Sequence, residues 1–332
     1  MIITVTPNPS IDRTVTLPGA LVRGAVHRVL SVSSEPGGKG VNVARALTLA
    51  GLDVLAILPA GEHDAILAGL QSEGVAYHAV PVSGSVRTNL SITEPDGTTT
   101  KVNEPGAGVD AAEAEALAWA VLQRARADHW VVLSGSLPPG LPDHWYSDMT
   151  AALKAHGCKV AVDTSDAPLA ALAAGLNSTS LRAAPDLIKP NAEELAGLTG
   201  VSAESLESAV ARGDADPVVR AARRLVDRGI GAVLATLGSA GAVLVDGDGA
   251  WLASPPPITP RSTVGAGDSS LAGYVRADVE GADAPGRLRM AVAYGSGAAA
   301  LPGSALPTPA QLDLDDVTVT SVTADSRPEG AQ

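Results

Sequence analysis

The chain is predicted to adopt an α/β fold, with a central, mostly parallel sheet flanked by helices and a small antiparallel β lid. Three observations predict it. Val- and Ile-rich stretches of strand length alternate with Ala-, Leu- and Glu-rich stretches of helical spacing along most of the chain. Two stretches, 13–33 and 85–103, break that rhythm with alternating Thr, Val and turn residues, and Asp96-Gly97 marks a hairpin in the second. With 45% hydrophobic residues among 332, the chain can bury a sizeable core without a covalent or metal staple.

In chain order, the expected central strands are Ile2–Thr6, Val54–Leu58, Trp130–Ser134, Lys159–Asp163, Leu187–Lys189 and Ala232–Thr236. Helices are expected over Val41–Ala50, Ala111–Arg126, Asp143–His156, Ala192–Leu198 and Pro217–Arg228, then Ala266–Val279 and Ala284–Leu301. Residues 1–312 are read as a single domain. Segments 13–33 and 85–103 are expected to pair as a lid across the ligand-binding edge of the sheet. Beyond Leu312 the sequence turns polar, so 313–332 reads as a mobile tail.

Composition excludes several function classes. The 36 acidic residues against 23 basic give a net charge of −13, which disfavours non-specific nucleic-acid or membrane-surface binding. Cys158 is the only cysteine, and the six histidines show no paired helical spacing, so neither a disulfide nor a Cys- or His-based metal site is expected. Apolar runs stop well short of the roughly twenty residues needed for a membrane span. The β-branched start, Ile2-Ile3-Thr4-Val5, lacks a basic region and cleavage site, and a cytoplasmic location is expected. Asn177-Ser178-Thr179 fits a glycosylation sequon and is set aside on the same ground.

In open parallel sheets, ligands bind beyond the carboxyl ends of the strands. The unusual polar residues fall there: Asn8 and Asp12 after the first strand, Ser134-Gly135-Ser136, Asp163, Lys189-Pro190-Asn191, and Gly238 after Thr236. The strongest local signal is Ser262-Thr263-Val264-Gly265-Ala266-Gly267-Asp268-Ser269, a glycine-rich turn leading into a helix. Glycines let the backbone approach an anion, and a helix N-terminus supplies unpaired N–H groups and a positive dipole end. An Asp in such a cradle would repel a phosphate but suits a base that removes a proton from an attacking hydroxyl. A carboxylate that merely stabilises the first helical turn is the simpler alternative.

Pro36-Gly37-Gly38-Lys39-Gly40-Val41-Asn42 is a second glycine-rich helix start. It lacks the Ser or Thr of a Walker A loop and does not follow the first strand directly, so it reads as a close turn against a ligand or a plain helix start. Arg87 and Asn89, with Lys101 and Asn103 on the partner strand, could bind a phosphate and sugar hydroxyls, or could decorate a solvated hairpin. Asn191 and Glu194 share one helix face, where they could orient waters of a Mg²⁺ ion or cap the helix. Thr236-Leu237-Gly238-Ser239-Ala240-Gly241 could floor a nucleotide pocket or reverse the chain.

Together these motifs resemble, in order, the signatures of the ribokinase-like, PfkB-type carbohydrate kinases: Thr6 to Asp12, Gly37 to Asn42, Arg87-Thr88-Asn89, Ser134 to Pro138, Lys189-Pro190-Asn191, Thr236-Leu237-Gly238 and Ser262 to Ser269. The resemblance covers residues 1 to about 310 and is strongest to the phosphofructokinase branch. Ser262-Thr263-Val264 replaces the Thr-Thr-Gly of some members, a variation that suits that branch. The resemblance implies MgATP-dependent phosphorylation of fructose 1-phosphate to fructose 1,6-bisphosphate. Tagatose 6-phosphate and fructose 6-phosphate are the alternative acceptors, and a noncatalytic sugar-phosphate sensor is a remoter reading. By the same resemblance, Asp268 is the general base and Gly265, Ala266 and Gly267 form the anion hole. Asp12, Gly37, Gly38, Asn42, Asn89 and Ser136 would hold sugar hydroxyls. Arg87, with Lys39, Lys101 or Asn103 nearby, would hold the existing phosphate. Lys189, Asn191, Thr236, Gly238, Gly241 and Thr263 would contact ATP, with Asn191 and Glu194 reaching magnesium through water. A homodimer formed through the lid is also implied.

Overall fold

In the computed structural model, which describes residues 1–176 and 184–322, Ile3 and Val5 of the first strand enter one apolar layer and Ile2 the other. That alternation repeats in Val131 and Leu133 against Trp130 and Val132, so both faces of the sheet are buried. The sequon at 177–179 and residues 323–332 of the C-terminal segment lie outside the described residues.

The strands of the large sheet are β1 (Ile2–Val5), β4 (Val54–Pro59), β5 (Tyr77–Val80), β8 (Trp130–Ser134), β9 (Lys159–Asp163), β10 (Leu187–Ile188), β11 (Ala232–Thr236), β12 (Ala242–Asp246), β13 (Ala250–Ser254) and β14 (Thr318–Ser321). Their spatial order is β14-β13-β12-β11-β10-β9-β8-β1-β4-β5. From β5 to β11 every pairing is parallel, and β12 to β14 add an antiparallel edge. Helices α1 (Lys39–Leu49), α2 (Ala65–Ser72), α9 (Ala266–Val279) and α10 (Ala284–Ala299) cover one face. The other carries α3 (Ala111–Arg124), α4 (Trp145–Ala155), α5 (Asp166–Gly175), α6 (Ala192–Thr199), α7 (Ala203–Ala211) and α8 (Asp216–Val226). Each fully buried Leu, Ile or Val in these layers contributes about 1.5–3 kcal/mol.

The small sheet has the order β3-β2-β6-β7, with β2 (Ser10–Thr16), β3 (Ser31–Gly37), β6 (Arg87–Thr93) and β7 (Thr99–Asn103). It is antiparallel within each hairpin, but β2 and β6 join the hairpins as a parallel pair. The strands also reach further than the expected segments, so Asp12 and Gly37 belong to the lid itself. Register and alternation place Ser10, Asp12, Arg87, Asn89, Lys101 and Asn103 on one face and Val15, Val32, Leu90, Ile92 and Val102 on the other.

The C-terminal segment departs from the expected mobile tail. Thr318–Ser321 pairs with β13, because that edge offers unpaired backbone groups and Val319 packs on the core. Strands β12 and β13 extend the expected sheet in the same way, reversing through the Gly238–Ala240 turn.

Candidate active site

Helices α1 and α9 pack side by side, and both begin at a glycine with positive φ: Gly38 with φ 102° and Gly265 with φ 75°. Only glycine adopts such angles cheaply. Neither N-terminus has a side-chain cap among the described residues, so the leading amides of both helices remain available to an anion. Asp268 stands in the first turn of α9, 7% exposed, and Asn42 of α1 donates Nδ2 to its Oδ2 at 2.8 Å.

Two lysines close the site, one from the start of α1 and one from beyond the end of β10. Lys39, the first residue of α1, donates to Asp163 Oδ1 at 2.9 Å, and Lys189, just after β10, lies 3.3 Å from Asp163 Oδ2. A side chain at Gly267 would come 3.1 Å from Lys189 Nζ, which places that ammonium at the mouth of the α9 turn. Asp163, at the end of β9, is fully buried. Burial pushes the Asp268 carboxyl up to about 6, helped by the Asp163 charge and opposed by Lys39, the Asn42 amide and Lys189. Burial acts in the same direction on Asp163, but Lys189 and Lys39 outweigh it and hold that group below the usual carboxylate range. Lys39 is held above its ordinary value: burial opposes its charge, and Asp163, Asp268 and Glu194 overcome it. Two neighbouring carboxylates thus have opposite characters, one a fixed anion and one able to take a proton near neutrality.

The lid completes a second cluster. Asp12 Oδ1 accepts from Ser10 Oγ at 2.8 Å and from Asn89 Nδ2 at 3.0 Å. Asn8 Nδ2 donates to the Pro105 carbonyl at 3.0 Å and to Ser136 Oγ at 3.3 Å. Arg87 Nη1 is anchored on the Glu104 carbonyl at 2.9 Å, and burial lowers the affinity of its guanidinium for its proton despite Asp12 and Glu104. Arg87 Nε and Asn89 Oδ1 are buried with no partner among the described residues. Unpaired buried polar atoms of this kind suit a ligand that supplies the missing bonds. Arg87 also lines a cleft with Asn8, Pro9 and Pro138.

On the far side, Asn191 and Glu194 form a reciprocal capping box on α6, with both bonds 2.8 Å long. Asn191 also bridges to Thr236, bringing the ends of β10 and β11 together. The turn Gly238–Ala240 follows, and Gly241, with φ 103°, packs against the Ala253 carbonyl. The cap occupies Asn191 Oδ1 and Glu194 Oε2 and leaves Glu194 Oε1 outside it. No group of three or more His, Cys, Asp or Glu could hold a metal among the described residues. This donor set fits Mg²⁺ contacted through water, since that ion keeps most of its own shell.

Of the residues singled out from sequence, Lys39, Asn42, Lys189 and Asp268 come together around Asp163, while Asp12, Arg87 and Asn89 gather on the lid. Lys39 is engaged at the buried carboxylates, a different place from the phosphate clamp expected of it. Lys101, Asn103 and Thr263 are exposed and gain no side-chain partner among the described residues. Asp163 was noted only as a strand end, and the lysines that give it a role come from distant elements.

A family model described as pfkB family carbohydrate kinase matches residues 5–311. The chain is 37% identical over 323 residues to a 1-phosphofructokinase of Rhodobacter capsulatus, covering 96% of each chain. It is 40% identical over 282 residues to a 1-phosphofructokinase of Xanthomonas campestris, covering 83% of each. Phosphofructokinase-2 from Escherichia coli, solved in complex with substrates and products, superposes with a TM-score of 0.83 at 31% identity, covering 93% of this chain and 96% of that one. No described helix is long and apolar enough to cross a membrane.

Proposed function

The chain belongs to the pfkB family of carbohydrate kinases, and we propose that it transfers the γ-phosphoryl group of ATP to the free primary hydroxyl of fructose 1-phosphate. The observation that carries this reading is the buried Asp268, at the uncapped start of α9 and bonded to Asn42. Asp268 accepts the hydroxyl proton as the new P–O bond forms and the bond to the ADP leaving oxygen breaks. Amides of the Gly265–Gly267 turn and the Lys189 ammonium stabilise charge on the transferring group. Asp163 keeps Lys39 charged and pairs with both Lys39 and Lys189, fixing them in place. Asn191 and Glu194 would hold Mg²⁺ through its water shell, where it would supply neutralisation of phosphate charge.

Asp12, Asn89 and Ser136 hold sugar hydroxyls, and Arg87 holds the existing phosphate, its buried Nε supporting that role. The likeness to phosphofructokinase-2 from Escherichia coli, also solved in complex with fructose 6-phosphate, favours that sugar phosphate as a second acceptor. A homodimer through the lid is supported by its outer surface, where Val32, Val102, Leu30 and Val26 are 47%, 54%, 69% and 87% exposed. The reaction consumes ATP, and the cytoplasm is the compartment that fits it. An ADP-release assay over fructose 1-phosphate, fructose 6-phosphate, tagatose 6-phosphate and fructose tests the reading. The highest kcat/KM is expected for fructose 1-phosphate; a higher value for another sugar would replace the acceptor, and no ADP from any would favour a sensor.

A further inference from the structure

Lys39, Asn42 and Arg45 recur every three residues along α1, which puts them on one stripe of the helix. The first two reach the reacting centre. Arg45 has a side chain only 7% exposed, and each of its nitrogens is engaged. Nε and Nη2 fork onto Glu73 at 2.5 and 2.9 Å, and Nη2 also donates to Glu35 at 3.2 Å. Nη1 donates to the Pro36 carbonyl at 3.1 Å and, at 3.5 Å, to Asn42 Oδ1. Glu35 belongs to lid strand β3 and is itself held by Ser304 Oγ at 2.8 Å.

The consequence falls on Asn42, whose amide has one donor end and one acceptor end. Its oxygen faces the guanidinium and its NH₂ faces the Asp268 carboxylate. Turned over, donor would meet donor and acceptor would meet acceptor. While Asp268 is ionised, both neighbours enforce one orientation. Once Asp268 carries a proton, its O–H could donate to the Asn42 oxygen, and only Arg45 still opposes the turn.

We infer that Arg45 is a positioning residue, holding Asn42 as a hydrogen-bond donor to Asp268 through both protonation states of that carboxyl. The inference rests on Asp268 being the general base. The other charged groups acting on Asp268 are Asp163 of β9, Lys39 of α1 and Lys189 after β10, while Glu35 and Glu73 face Arg45 from β3 and the end of α2. A purely structural Arg45, tying α1 to α2 and the lid, would change thermal stability and nothing in the proton chemistry.

The test compares kcat of the parent protein, Arg45→Met and Arg45→Lys across pH, with saturating MgATP and fructose 1-phosphate and ADP quantified directly. Thermal unfolding is followed alongside. Without Arg45 the acid limb of kcat should move up by roughly one pH unit, the equivalent of one hydrogen bond gained by the protonated form when Asn42 turns to accept from it. The sugar phosphate's own ionisation, with a pKa of about 6, is common to all variants and cancels. In an Asn42→Ala background, Arg45→Met should leave the limb where Asn42→Ala alone puts it. Arg45→Lys carries the test if the Met variant does not fold, because its ammonium can pair with Glu73 or reach Asn42 but not both. An unmoved acid limb together with a lowered melting temperature overturns the inference. Near-parent kcat in Asp268→Asn would instead remove the base assignment beneath it, so the two failures are distinguishable.

Discussion

Lys39 donates to Asp163 at 2.9 Å across 124 residues of sequence, and the carboxylate that receives it is entirely buried. Breaking a buried ion pair by removing one partner strands the other, at about 3–5 kcal/mol. Asp163→Asn should therefore lower the unfolding free energy from urea titration by an amount in that range and reduce kcat. It should also move the acid limb of kcat to lower pH, because Asp163 is one of the charges that raises Asp268. An upward shift would contradict the electrostatic roles assigned to the pair.

Asp268→Asn should lower kcat by about 10² to 10⁴-fold, the range supplied by a positioned base, with little change in KM. The same substitution carries a stability signature. Asp268 titrates near 6 in the fold, above its ordinary value of 3.8, so the folded state holds the proton more tightly than the unfolded chain. Stability of the parent should fall as pH rises from 3.8 through 6 and level off above. The Asn variant lacks this loss and should be more stable above pH 6 by at most about 3 kcal/mol. Unfolding midpoints at acid and neutral pH measure the difference.

Arg87→Ala should raise KM for a sugar phosphate by about 10 to 100-fold through loss of charge-assisted bonds. Turnover of unphosphorylated fructose, however slow, should be unaffected. Equal losses on both substrates would show that Arg87 shapes the lid without binding phosphate.

Val102→Asp, on the outward face of β7, should weaken self-association without disturbing the polar face. Sedimentation equilibrium of the parent is expected to give a dimer, and the variant should dissociate at higher concentration. A parent that sediments as a monomer would remove the interface.

Much of the large sheet was readable because parallel strands buried on both faces are continuous apolar runs: β8, β9 and β11 carry the expected bounds. Strands β12 to β14 were missed because their place depends on edge pairing, which a local apolar pattern does not encode. Asp268 and Gly265 were visible as a glycine-rich turn opening a helix with a carboxylate in its first turn, a pattern that a plain helix start also produces. Asn191 and Glu194 show the limit of such reading, since a helix cap and a hydrated-metal contact ask for the same residues, and here the cap is made. The roles of Asp163, legible only as a polar strand end, and of Arg45 escaped the sequence for a different reason. Their significance lies wholly in partners, Lys39 and Lys189 for one and Asn42, Glu35 and Glu73 for the other, which only the folded chain brings near.

The parallel pairing of β2 with β6 has a consequence for how the enzyme comes into being. A hairpin can close as soon as its two strands exist, but this pair joins segments separated by 77 residues at Asp12 and Asn89. Such non-local closure is slow and comes late in folding. The bond from Asn42 to Asp268 spans 226 residues, far more than any hairpin closes. During synthesis, the sugar half of the site must therefore wait for the second lid hairpin, and the base arrives only with α9. A nascent chain halted before that helix lacks Asp268 and, on the mechanism proposed above, would be catalytically silent until its core is all but complete.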